Sequence, residues 1–454
     1  MDKTKKSPWW WVPTLYFAEG VPYFLVNNIS VMMFTKMGVP NGQMAFFTTL
    51  LYFPWFLKGI WSPIVDVVRT KRWWIITMQA LLTLMMILLT LTLPKPDAAA
   101  IAGGQVPMSM FWFTLVLFII SAFASATHDI AADGYYMLAH DPSSQAAFIG
   151  IRSTFYRIAS VFGQGVLVFI AGRIERSSGN IPFSWQVTIG VAAVVFLLIT
   201  LYHTFVLPKP AADKPRIESG SSKDTFRELG NSFKTFFTKP GVGLAILFML
   251  LYRLPEGFLI KLCQPFLVAP VDETIQMVGE RMVHTGGGLG LGTDMVGVVY
   301  GTIGVIALLA GGIVGGIVAS RIGLRKALWP MAACMTLPCL TFVYLSIVQP
   351  SNLVAISVAV AIEQFGYGFG FTAYMLYMMF FSEGEFKTSH YAICTAFMAL
   401  SMMLPGFVAG FIQESIGYVN FFWMVMVCCF ATIFVTILAR RKVEPEYGRK
   451  DAKK

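Results

Sequence analysis

The string GGIVASRIGLRKALW (residues 315–329) sits between two long apolar runs, and SPIVDVVRTKRWW (residues 62–74) holds the matching place in the first half of the chain. Both combine small residues, which let membrane helices approach closely, with a tight group of cations. In the first-half string Asp66 stands at a helix end against Arg69, Lys71 and Arg72; in the other, Arg321 and Arg325 carry the charge. An acid held against cations at a helix end is a contact that a two-state gate makes and breaks. Asp66, Arg321 and Arg325 are therefore read as gating residues, with simple anchoring of a short loop as the plainer alternative. Such a repeat at matching positions points to two related halves.

Outward from these strings, apolar and polar stretches alternate. Of 454 residues, 56% are hydrophobic and 13% charged, against about 25% charged in soluble domains. So few charges cannot clothe a water-facing surface, and much of the surface must meet lipid. Apolar runs are readable at 9–34, 43–65, 73–93, 108–138, 145–171, 185–206, 241–269, 294–319, 327–348, 352–381, 388–412 and 420–439. Each is near the ~20 residues that cover the hydrocarbon core. The first follows a basic start and lacks the short core and cleavage site of a signal peptide, so it is read as a retained span. The expected fold class is an all-α membrane protein of 12 transmembrane helices in two pseudo-symmetric six-helix bundles.

Charge sets the orientation. Of 34 Lys and Arg residues, 24 fall in the two tails and in the loops that follow even-numbered runs; five (Lys36, Lys95, Arg173, Arg176 and Arg281) fall in the opposite loops. The positive-inside rule then puts both termini in the cytoplasm. The net charge of +10 is thereby a topology signal, and no nucleic-acid partner is expected. The longest polar break, about 209–239, divides the runs six and six. The expected domains are an N-terminal bundle (1–206), a cytoplasmic linker (207–240) with a short surface helix over 225–237, a C-terminal bundle (241–439) and a basic tail (440–454). A second break, 271–294, contains GGGLGLGTD (286–294). No strand precedes it, so phosphate binding is set aside in favour of a flexible loop. The six cysteines lie in apolar runs without metal spacing; no disulfide, metal or cofactor is expected.

An ion inside a span costs at least ~2.5–3.5 kcal/mol, so each one asks for a reason. With a helical rise of ~1.5 Å per residue, Asp133 and Arg152 lie at matching depth, and Asp129 and Arg157 lie deeper together. Asp129 and Asp133 share a helical face, which predicts the pairs Asp133–Arg152 and Asp129–Arg157. Such a network either holds helices and gates them, or touches the solute. Glu19, Arg253, Glu256 and Glu363, with Gln364 beside it, come near mid-bilayer. LYFAEGVP (15–22) and LYRLPEGF (251–258) echo each other, each with an acid, a glycine and a proline, and interrupted helices at depth line cavities. Arg253 offers a fixed cation to an anionic group, and Glu256, three residues on, can pair with it. Lys58 and His128 complete the set; His128 beside Asp129 is read either as a proton relay or as a packing histidine. Tyr16, Tyr23, Tyr135, Tyr136, Tyr367 and Tyr374 are available to stack on sugars or simply to pack.

Four stretches carry a resemblance to AmpG-type muropeptide permeases, in the peptide/acetyl-CoA transporter branch of the major facilitator superfamily. They are KGIWSPIVD (58–66), SATHDIAADGYY (125–136), the Tyr156–Arg157 region, and EQFGYGFGFTAYMLYMM with KTSHYAICTA (363–379 and 387–396). The resemblance spans both halves and matches at Lys58, Asp66, Asp129, Asp133, Arg157 and Glu363. It departs at Ser320, where the loop signature usually has an acid, and at Glu19, where many such permeases have a small residue; some relatives also add two further spans. It implies a proton-driven importer of anhydro-muramic acid sugars or peptides in the bacterial inner membrane, with siderophore and acyl-CoA carriers as related alternatives; a monomer is expected.

No HExxH, nucleophile elbow or Walker pattern appears, so an enzyme or an ATP-driven pump is not expected. A non-transporting sensor would usually append a soluble signalling domain, and the tail after Arg440 is short. The expected partners are the lipid bilayer, a small solute and protons.

Overall fold

The computed structural model describes residues 7–139, 142–211, 213–214, 230–231, 233–278, 281–384 and 387–449. The side chains of 63, 66, 67, 142–147, 149, 278, 281 and 388 fall outside this description, and with them the carboxylate of Asp66. Of the surface helix expected over 225–237, residues 230–231 and 233–237 are helical and the rest lie outside the described residues.

The described chain is overwhelmingly helical. Among the described residues, nine helical segments are long and apolar enough to cross a bilayer. The last of them, Ser389–Arg440, turns at Gly417, whose φ of 74° only glycine adopts freely; it thus supplies two of the expected runs. The first two expected runs are assembled from shorter pieces. One joins Val12–Phe24, a π-helical turn at Leu25–Ile29 and Ser30–Lys36; the other joins Asn41–Leu50 and Phe53–Val67. The contacts divide the chain into two compact units.

In the first unit, Met1–Gly38 with Leu51–Glu228, Trp11, Leu15, Tyr16, Ile75 and Tyr135 are buried together. Helix Val12–Phe24 lies directly on Pro142–Ser160: a Cβ at Gly20 would come 2.6 Å from that of Ala159. After helix Ile181–Val206 the chain folds back over the start of Lys71–Thr92. The Asp213 carboxylate accepts from the N–H groups of Lys71 (2.6 Å) and Arg72 (3.0 Å), satisfying donors that a helix start leaves open and opposing its dipole. The Arg72 side chain donates to the carbonyls of Leu207 (3.1 Å) and Thr204 (2.6 Å), and Tyr135 Oη to that of Pro208 (2.7 Å).

The second unit is Val39–Leu50 with Leu229–Lys454. Helices Val305–Ile322 and Leu353–Ser382 touch backbone to backbone: a Cβ at Gly311 would lie 2.1 Å from the Phe365 carbonyl, and one at Gly368 2.0 Å from that of Leu308. Asn41–Leu50 packs on Lys387–Arg440, where a Cβ at Gly410 would meet the Asn41 carbonyl at 2.0 Å. Asn41 Nδ2 also donates to Gln413 Oε1 (2.7 Å) and Tyr418 Oη (2.9 Å). The tail repeats the strap of the first unit. The Tyr447 carbonyl accepts from Leu324 N–H at 2.9 Å, the Tyr447 ring lies 5.0 Å from that of Phe380, and Arg440 Nε donates to the Arg325 carbonyl at 3.0 Å. Each unit therefore ends by fastening its last segment onto the helix that follows its basic string.

The stretch 271–294 corrects the flexible-loop expectation. Thr274–Val278 and Arg281–Thr285 form an antiparallel hairpin with Met277 opposite Met282. The glycine run then returns to cap helix Leu254–Val268. The N–H groups of Gly288, Leu289, Gly290 and Leu291 donate to the carbonyls of Pro270, Phe266, Ala269 and Leu267 at 2.8–3.0 Å. A Cβ at Gly288 would stand 2.3 Å from the Phe266 carbonyl. These glycines exist for close approach to a helix end, whose last carbonyls lack intrahelical partners.

Candidate functional site: buried charges in each unit

In the first unit, Glu19 comes from Val12–Phe24, Lys58 from Phe53–Val67, Asp129 and Asp133 from Trp112–Ala139, and Arg152 from Pro142–Ser160. Carboxylate oxygens of Glu19, Asp129 and Asp133 lie within 4.8 Å of one another. Arg152 pairs with Asp133 at 2.5 Å, as the matching depths predicted. The second predicted pair is corrected: Asp129 is taken by Lys58 Nζ at 2.5 Å, and Arg157 makes no ion pair among the described residues. Depth alone could not separate these options, because Lys58 reaches Asp129 from a third helix. Tyr16 adds a contact that spacing did not reveal. Its hydroxyl donates to Asp133 Oδ1 at 3.2 Å, and its ring lies under the Arg152 guanidinium at 4.4 Å. Glu19 is 8% exposed; one of its oxygens contacts Asp129 and the other, Oε2, has no hydrogen-bond partner.

His128 turns away from this cluster, as adjacent positions on a helix point about 100° apart. Its Nε2 meets Gln79 Nε2 at 3.0 Å, the Gln79 amide reaches His203 Nδ1 at 2.9–3.0 Å, and His203 Nε2 meets Thr14 Oγ1 at 2.9 Å. All three of His128, Gln79 and His203 are buried. The packing reading of His128 is the one this geometry favours, since the imidazole is absorbed in a polar thread joining four helices.

In the second unit the helix is interrupted where the LYRLPEGF echo suggested: Val242–Leu251 ends, and Leu254–Val268 begins with Arg253 as its cap residue. The Arg253 guanidinium donates to Tyr367 Oη at 2.6 Å and lies over Phe371 (4.8 Å), Tyr367 (5.5 Å) and Tyr374 (5.7 Å). Aromatic faces attract a guanidinium and hold its plane. Arg253 and Glu256 open the same helix, Gly257 N–H donating to the Arg253 carbonyl at 2.9 Å, and the Arg253 charge acts on the Glu256 carboxylate while its guanidinium lies among the rings. Glu256 and Glu363 are both buried. Glu363 Oε2 accepts from Gln364 Nε2 at 2.8 Å, and Gln364 reaches Tyr300 Oη at 3.4 Å. Glu256 Oε1 has no hydrogen-bond partner. Arg321, in the last turn of Val305–Ile322, is exposed, and Arg325, in the first turn of Leu324–Thr336, is half-buried beside the tail.

Acids and cations carried by interrupted helices, within a helical body that meets lipid, define a multi-pass membrane transporter. The chain belongs to the Major Facilitator Superfamily, whose family profile matches residues 14–384. It is 24% identical over 439 residues to "Putative transporter AmpG 4" of Rickettsia conorii, covering 94% of this chain and 95% of the relative. It is 23% identical over 435 residues to the anhydromuropeptide permease of Escherichia coli K12, covering 95% of this chain and 79% of the relative. The resemblance read from the sequence is thus borne out, and these relatives are permeases, not enzymes. Among solved structures, the fold matches a D-xylose–proton symporter (TM-score 0.68, 13% identity, 96% of this chain and 98% of that one). It also matches a bacterial homologue of the human lysosomal transporter Spinster (TM-score 0.65, 14% identity, 97% and 98%).

Proposed function

We propose that the chain is a twelve-span, proton-coupled importer in a bacterial inner membrane, with both tails cytoplasmic. Its solute is a small polar anion of the anhydro-muramic acid type, with or without attached peptide. The count of twelve follows when the two interrupted helical stretches at the start are added and the segment bent at Gly417 is counted twice.

One observation carries the coupling: three carboxylates within 4.8 Å of one another meet two cations, Lys58 and Arg152. At that distance two like charges repel by roughly 3.5 kcal/mol at an effective dielectric of ~20. One proton shared among these three acids would relieve that repulsion. With one proton aboard, the three acids balance the two cations. A solute that changes the balance of cations changes the proton's hold, which is the linkage symport requires. Arg253, fixed by its aromatic cage, supports the anionic character of the solute, because its charge persists at every working pH. The AmpG-type relatives support the muropeptide class.

The test is uptake of 1,6-anhydro-N-acetylmuramic acid into proteoliposomes under an imposed proton gradient. Glu19→Gln and Glu363→Gln should abolish accumulation against a gradient while the proteins still purify as folded monodisperse species. Concentrative uptake by both variants at the unaltered level removes the coupling claim. Tight binding without transport favours a sensor, and competition by a siderophore or a nucleotide thioester redirects the solute class.

A further inference from the structure

Two facing helices of the first unit each carry a rare wide turn at the same contact. One is the π-helical turn Leu25–Ile29 that follows Val12–Phe24; the other is Val161–Leu167, which follows Pro142–Ser160. Single π turns are uncommon and concentrate at functional sites. Each inserts one residue, so side chains beyond it fall on a different face than a regular helix would give. Here the effect is specific. From Tyr23 a regular turn would bring Asn27 onto the same face at i+4, whereas the wide turn closes at i+5 and brings Asn28. Asn27 is buried and bonds back to the Tyr23 carbonyl at 3.2 Å. Asn28 is half-buried and meets Gln164 of the other wide turn, Nδ2 to Oε1, at 3.0 Å.

That single bond is all the two amides make among the described residues, although each carries two N–H donors and a carbonyl acceptor. Most of their capacity is unspent, and both are half-buried. An amide with unspent capacity at this depth is disfavoured against lipid, which offers no hydrogen-bond partner; water or a polar solute satisfies it. The level next to the amides is aromatic, with Arg157 the residue after Tyr156. The rings of Tyr23 and Trp55 lie 5.1 Å apart, and those of Tyr23 and Tyr156 6.4 Å apart, all three half-buried. One turn before Tyr156 stands Arg152, and one turn before Tyr23 stands Glu19. The same file thus runs from the charge cluster to the amide pair, over about 18 Å between Arg152 and Gln164 at ~1.5 Å per residue. Glycines hold it rigid, since a Cβ at Gly163 would come 2.8 Å from that of Phe24.

We propose that Asn28 and Gln164 form a subsite for the uncharged part of the solute, a pyranose ring bearing hydroxyl and acetamido groups, with Tyr23, Trp55 and Tyr156 offering faces to its C–H side. Amides match hydroxyl and acetamido groups as both donors and acceptors, and aromatic rings bury the apolar face of a sugar. An acyl chain would find no reason for two unspent amides here. The assignment rests on the importer reading above and adds the residues that choose the solute.

The experiment is uptake of 1,6-anhydro-N-acetylmuramic acid into proteoliposomes, with free N-acetylglucosamine as competitor. Asn28→Leu and Gln164→Met, near-isosteric but unable to hydrogen bond as amides do, should raise the half-saturating concentration at least tenfold and lose inhibition by N-acetylglucosamine. Gln164→Cys provides a second readout: its labelling by a small methanethiosulfonate should be slowed several-fold by N-acetylglucosamine. Unchanged half-saturation in Asn28→Leu and Gln164→Met overturns the subsite and leaves the importer standing; so does labelling of Gln164→Cys that ignores the sugar. If the unaltered protein does not take up the muramic probe, the importer reading falls and takes the subsite with it.

Discussion

Replacing Lys58 by Met should cost the first unit both stability and control of its proton. Lys58 Nζ lies 2.5 Å from Asp129, with the two side chains 35% and 16% exposed. Removing one partner of a fully buried pair costs about 3–5 kcal/mol, because the other charge is left uncompensated. Lysine here is about one-third exposed, so screening lowers the expectation to about 2–3 kcal/mol. At roughly 2–4 °C per kcal/mol for a body of 150–250 residues, purified Lys58→Met should melt roughly 4–12 °C below the unaltered protein. Charge makes the sharper prediction. The unaltered cluster has three carboxylates against two cations, an excess of one. Lys58→Met raises the excess to two, and Lys58→Met with Asp129→Asn returns it to one. The double variant should therefore melt above the single one. A melting curve followed by intrinsic fluorescence in detergent decides the matter. The reasoning is wrong if Lys58→Met melts with the unaltered protein, or if adding Asp129→Asn lowers stability further.

Three other perturbations follow from the same geometry. Arg253→Lys keeps the charge but loses the planar fork held by Tyr367 and Phe371; KM for the anionic solute should rise about tenfold with little change in folding, and uptake kinetics report it. Gly368→Ala drives a Cβ to 2.0 Å from the Leu308 carbonyl, so helices Val305–Ile322 and Leu353–Ser382 must separate; overpacking of this kind costs about 1–3 kcal/mol, visible as a lowered melting temperature. Asp213→Ala removes the cap on Lys71 and Arg72, worth about 0.5–2 kcal/mol. Hydrogen exchange at those two amides should quicken, while exchange within Leu353–Ser382 in the other unit stays unchanged.

Much of this architecture was legible in one dimension because lipid imposes one rule: backbone polar groups must be satisfied within the segment. Long apolar runs therefore announce helices wherever they occur. The pair Asp133–Arg152 was legible for the same reason, as depth is simply residue count times rise. The paired strings at 62–74 and 315–329 marked the helices onto which each unit fastens its last segment, although the straps formed by Asp213 and Tyr447 were invisible. Asp213 lay in a polar linker with nothing to mark it as a helix cap.

Sequence alone determined the lipid-facing helical body and the short set of ions that needed an explanation, because hydropathy and the cost of burying charge act on residues one at a time. Only the tertiary structure decided which group meets which: Lys58 rather than Arg157 for Asp129, a set of aromatic rings around Arg253, and a buried thread through Gln79 for His128. It also decided that the glycines at 286–294 cap a helix, and that Asn28 rather than Asn27 meets Gln164. The physical reason is common to all of these. Pairing depends on helix rotation and on π turns or breaks, each of which swings a side chain by about 100° per residue, and no pattern along the chain records that rotation until the helices are packed.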